Sequence, residues 1–102
     1  MAERTVIWTE TATKQRREIF KYWTKRNGST AYAEKLMRLI SARISVILVQ
    51  PESFKTTIYP DTRISAIGHF SILYKITDLN IIVTAFWDNR QDPEKLLMII
   101  KP

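Results

Sequence analysis

The spacing of apolar residues along this chain changes from two, to three and four, and back to two. Residues 4–9, RTVIWT, are β-branched and aromatic with no breaker, which predicts a short strand. Thr9-Glu10-Thr11 then offers an N-cap and an acidic first turn. From there Ala12, Ile19, Phe20 and Trp23 fall on one helical face, with Lys14, Arg17, Lys21 and Lys25 opposite. This predicts an amphipathic helix of about four turns. Asn27-Gly28 ends it, because both residues tolerate the left-handed conformation that follows a helix, and Ser29 or Thr30 caps a second helix at once. There Ala33, Leu36, Met37, Ile40, Ile44, Ile47 and Leu48 follow helical spacing until Pro51 stops it. Lys35 and Arg38 lie on its opposite face. Leu39 and Val46 stand to one side of the main stripe, either to pack on the first helix or to be left for a partner. A turn this short joins the two helices as an antiparallel hairpin.

After a loop over 51–62, PESFKTTIYPDT, alternation returns and predicts strands at about 63–67, 70–77 and 80–87. Gly68-His69 and Asp78-Leu79-Asn80 connect them, and loops this short require antiparallel pairing. Phe70, Ile72, Tyr74 and Ile76 share one face of the middle strand, with His69, Ser71, Leu73 and Lys75 on the other. The last strand is apolar on both faces and so belongs inside the sheet. Beyond it, FWDNRQDPEKLL turns at Asp88 or Asn89 and restarts with Pro93 in the first position of a helical turn, Leu96, Leu97 and Ile99 packing back. The expected fold is α+β, in the order β-α-α-β-β-β. A helical hairpin packs on one face of a largely antiparallel sheet, followed by a short C-terminal helical turn, in one domain over 1–102.

Composition narrows the functional classes. In 102 residues, 45% hydrophobic with two glycines, a real core is within reach without staples. Cysteine is absent, which excludes disulfides and cysteine zinc sites and suits a reducing compartment. The N-terminus has no apolar leader and no run approaches the roughly 18 residues of a membrane span, so a soluble, cytoplasmic protein is expected. One histidine and scattered carboxylates make no metal-ligand set, and there is no glycine-rich phosphate loop or Ser-His-Asp arrangement, so no cofactor is expected. The net charge is +6, and the stretch from Lys14 to Arg43 holds nine Lys or Arg against Glu18 and Glu34. Such a block suits nucleic acid, an acidic partner or an anionic surface, and equally suits a plain solvated face.

A few residues stand out as candidates for chemistry or contact. Neither turn nor cap explains Arg90, which can pair with Asp88 or Asp92 or meet a target. Arg63 opens a strand, where a charge guards an edge or shapes a site. His69 sits in a tight turn, Lys75 on an exposed strand position, and Trp87 at the strand end, where it is either core or contact. Arg16 lies within the apolar stripe of the first helix, its stem along the core edge.

The strand, the helical hairpin, RISAIGHFSILYKI and IIVTAFWDNRQDPEKL together resemble the RelE/ParE toxin superfamily of bacterial type II toxin–antitoxin systems. The resemblance is carried by Arg63, the strand from Gly68 to Lys75, and Trp87-Asp88-x-Arg90-Gln91-Asp92-Pro93. It implies a toxin neutralised by a cognate antitoxin whose C-terminal segment wraps it. RelE-like members cleave mRNA on the ribosome, whereas ParE-like members inhibit DNA gyrase by binding. As a nuclease this chain would have to draw on Arg90, Arg63, Lys75 and His69. Ser71 stands where the nucleases carry an arginine, and Leu96 near their C-terminal tyrosine. The ParE-like branch is therefore favoured over the nuclease, with Arg63, Trp87, Arg90, Arg16, Leu39 and Val46 as target or partner contacts. A third class is an inert relative that only binds the antitoxin.

Overall fold

The computed structural model describes residues 4–91, so the anticipated C-terminal turn from Pro93, and Asp92 before it, lie outside the described residues. Its elements are β1 (Thr5–Trp8), α1 (Glu10–Asn27), α2 (Ala31–Val49), β2 (Lys55–Thr56), β3 (Thr62–Ile67), β4 (Phe70–Ile76) and β5 (Asn80–Asp88).

Local chemistry sets the helix ends. The Thr9 hydroxyl accepts from the Ala12 backbone N–H at 3.1 Å and starts α1. Gly28, at φ 64°, supplies the left-handed residue that closes it. At the start of α2 the bond comes from Ser29, whose Oγ accepts from the Ala31 N–H at 3.1 Å, while Thr30, the residue before the helix, makes no side-chain cap. Gln50 bonds back to the Val46 carbonyl just before Pro51.

The five strands form one sheet in the order β1-β5-β4-β3-β2. Pairing is antiparallel from β2 through β5, but β1 runs parallel to β5, with the helical hairpin in the long connection that parallel neighbours require. The interior position expected for the last strand is observed. The edge strand β2 falls within the expected loop over 51–62, because two residues, Lys55 and Thr56, carry no alternation.

α1 and α2 cover the face bearing Phe70, Ile72 and Tyr74, and the core joins these to Ala12, Leu36, Ile40, Ile47, Ile81, Val83 and Phe86. Ile44 is half-buried against this core, whereas Met37 departs from the stripe: it is 53% exposed. It lies on the side of α2 that borders an open groove against α1, beyond the reach of the sheet.

One irregularity positions the end of β5. Leu73 pairs with Ala85 but Tyr74 with Val83, leaving Thr84 as an extra residue. A bulge of this kind reverses the side-chain alternation beyond it. Phe86, paired with Ile72, therefore joins the helix-side core, and Trp87, paired with Ser71, turns to the opposite face.

Candidate functional site

Where β5 leaves the sheet, the chain and α1 enclose an open pocket of about 650 Å³. β5 contributes Phe86, Trp87 and Asp88, the following turn contributes Arg90 and Gln91, and α1 contributes Gln15, Ile19, Tyr22, Trp23 and Arg26 among others. Asp88 organises the turn. Its Oδ1 accepts from the Arg90 backbone N–H at 2.9 Å and from Nε at 2.9 Å, while Oδ2 accepts from Nη2 at 2.7 Å. The bonds from the Arg90 side chain, above all, hold the Asp88 carboxyl below its ordinary value, and the same bonds push the guanidinium upward. Burial works against both shifts.

The Arg90 guanidinium also lies over two aromatic rings, 5.2 Å from the centroid of Trp23 and 5.9 Å from that of Phe70. Arg26 approaches Trp23 as well, at 5.6 Å, and donates to the Tyr22 hydroxyl at 3.1 Å. Thus one indole has two guanidinium groups beside it. At the floor, the Gln15 Oε1 accepts from the Phe86 N–H at 3.0 Å, while its buried Nε2 has no partner among the described residues. Gln15, Tyr22, Trp23 and Arg26 were not singled out by sequence. Helical spacing places Trp23 in the core, and the i, i+4 spacing of Tyr22 and Arg26 is the signal that could have found this wall.

The residues proposed for nuclease chemistry fall into two groups. His69 lies near Arg90, because the Asn89 N–H donates to the His69 carbonyl at 2.7 Å. Arg63 pairs with Tyr74, and Lys75 with Thr62, at the other end of the sheet. Five residues of β4 separate the ends, about 16 Å at roughly 3.3 Å per residue. There Arg63 donates to the carbonyls of Glu52 at 3.1 Å and Phe54 at 2.7 Å, and the Tyr74 hydroxyl donates to that of Pro51 at 2.6 Å. Both hold the loop after α2. Burial raises the Tyr74 phenol above its ordinary value, against the pull of the Arg63 charge. Lys75 is exposed. Ser71 is buried and donates to Asn89 Oδ1 at 2.8 Å, supporting the turn before Arg90.

The other candidates lie elsewhere. Trp87 is only 6% exposed and so offers little to a target. Arg16 places its guanidinium 4.2 Å from the Trp8 ring centroid, beside a groove between α1 and α2 floored by Phe20 and Met37. Leu39 and Val46 do not pack on α1: they are 45% and 46% exposed, and with exposed Ala42 and Val49 they form an apolar stripe along α2. No three His, Asp or Glu residues cluster as metal ligands among the described residues. Nor is any described helix long and apolar enough to cross a membrane.

A helical hairpin packed on one face of a mixed sheet, with an open pocket where β5 meets α1, defines the class of fold. Residues 6–93 match the family model described as ParE toxin of type II toxin-antitoxin system, parDE, and this chain belongs to that family. Its fold is similar to a solved chain of the chromosomal ParDE TA system from P. aeruginosa, with a TM-score of 0.70 and 15% identity over 82% of this chain and 94% of that chain. No curated protein matches the sequence.

Proposed function

We propose that this ParE-family toxin acts in the bacterial cytoplasm by binding DNA gyrase and inhibiting it, and that a cognate antitoxin neutralises it. The observation that carries this reading is the setting of Arg90. Its side chain is 46% exposed, and its guanidinium is held beside aromatic rings by Asp88, a setting suited to meeting a partner. It is poorly suited to RNA cleavage, which needs a base for the ribose hydroxyl and an acid for the leaving oxygen. Arginine stays protonated and serves as neither, while Arg63 and Lys75 stand at the far end of the sheet. The apolar stripe Leu39, Ala42, Val46 and Val49 on α2 is the surface we assign to the antitoxin. Its spacing suits an amphipathic helix.

The ribosome-dependent nuclease remains the second reading, favoured by the placement of His69 beside the Arg90 turn. Paired assays separate the two. Gyrase supercoiling should be inhibited by the purified toxin and restored by the antitoxin, while mRNA on purified ribosomes stays intact. Site-specific cleavage of that mRNA, abolished by Arg90→Ala, selects the nuclease. Binding of the antitoxin with neither effect selects an inert relative.

A further inference from the structure

α1 has an outer surface that neither the pocket nor the antitoxin face uses. Lys14, Arg17, Lys21 and Lys25 recur every three or four residues and are all exposed. At about 1.5 Å rise per residue they make a straight ridge about 16 Å long, one cation per turn. The only ion pair among the described residues is Arg90–Asp88, so no described carboxylate is paired with a ridge residue. Glu18, the one acid within its span, lines the β5 pocket on one flank of α1, while Arg17, Lys21 and Lys25 border the groove on the other.

The crest itself carries no apolar side chain. Protein interfaces are anchored by aromatic and aliphatic groups that leave water, and those lie in the groove and on α2 instead. A phosphodiester backbone asks only for cations at regular spacing. Duplex DNA presents one negative charge per about 1.7 Å of axis, so each ridge residue meets phosphate without a need for register. We propose that the α1 ridge binds the phosphate backbone of duplex DNA without regard to sequence. This concentrates the toxin on the substrate of the enzyme it inhibits. The choice of duplex over single strand rests on the gyrase reading; the ridge itself does not.

The test is fluorescence anisotropy with a labelled 20-base-pair duplex and the purified chain, in the absence of gyrase, across KCl concentrations. With four phosphates neutralised, log K should fall with log salt at a slope of about −3.6, so affinity drops about a hundredfold between 50 and 200 mM. Lys21→Gln with Lys25→Gln should flatten the slope by about 2. Lys35→Gln with Arg38→Gln on α2 should leave it unchanged, with circular dichroism confirming that both variants fold. Absence of binding at 50 mM KCl overturns the proposal, as does equal flattening by the α2 pair. Tighter binding of a single-stranded RNA or of an acidic peptide overturns the choice of duplex DNA. Supercoiling inhibition is read separately. Inhibition without duplex binding removes the ridge alone, and duplex binding without inhibition supports the ridge while removing the gyrase reading.

Discussion

The two ends of the sheet each carry an arginine, and the two have opposite surroundings. At the β3 end, Arg63 donates to backbone carbonyls of the loop it holds, and Tyr74 joins it there. At the β5 end, Arg90 bonds only its neighbour Asp88 and leaves half its surface to solvent. Backbone carbonyls cannot turn away to meet another group, so the first arginine is part of the scaffold. A surface ion pair contributes little to stability and can be exchanged for a partner's carboxylate. The comparison separates a residue that builds the site's frame from one that the frame presents.

The sharpest way to break this division is to remove what joins the two ends to the core. Phe86→Ala should destabilise by about 3–5 kcal/mol, measured by denaturant unfolding. The ring is fully buried, stacks on Phe70 at 5.5 Å and packs under the Arg90 turn. A loss below about 1 kcal/mol would mean that the region relaxes and is not a frame. Next, Tyr74→Phe deletes only the hydroxyl bonded to Pro51 and should cost about 1 kcal/mol. It should leave inhibition per folded molecule unchanged. If inhibition fell while the melting temperature held, the β3 end would belong to the target surface after all.

The Asp88 pair predicts a smaller, pH-dependent term. Because its carboxyl sits lower in the fold than its ordinary 3.8, folding is favoured where Asp88 is ionised in both states. That contribution is present at neutral pH. It declines as pH drops through the unfolded value near 3.8 and is gone below the lowered folded value. Asp88→Asn should remove this part of the acid dependence of unfolding; an unchanged acid limb means the bond to Arg90 is not kept in solution. Smallest of all, Arg90→Ala should barely move the melting temperature at pH 7, since the arginine side chain is about half exposed.

Much of the frame was legible in the sequence, because it obeys local rules. The Thr9 cap, the Gly28 stop and the Gly68-His69 hairpin follow from residues whose backbone or side-chain chemistry admits few alternatives. The helical stripe located Leu36, Ile40 and Ile47 in the core. It misplaced Met37, because periodicity gives an angle on the helix and not the width of what covers it. The parallel β1–β5 pair and the two-residue β2 depend on partners far away in sequence. The site was read in part. Arg90 stood out because no turn or cap required it, but its wall of Tyr22, Trp23, Arg26 and Gln15 lies some seventy residues earlier. The Thr84 bulge left no signal in a strand apolar on both faces, yet it decides that Phe86 faces α1 and Trp87 does not.

The most direct test is the concentration of toxin needed to halve gyrase supercoiling, compared between the wild-type chain and Arg90→Ala. A presented arginine that meets a partner predicts at least about a tenfold increase, equivalent to roughly 1.4 kcal/mol of binding, in a variant whose melting temperature is unchanged. The same half-inhibitory concentration for both proteins would contradict the account.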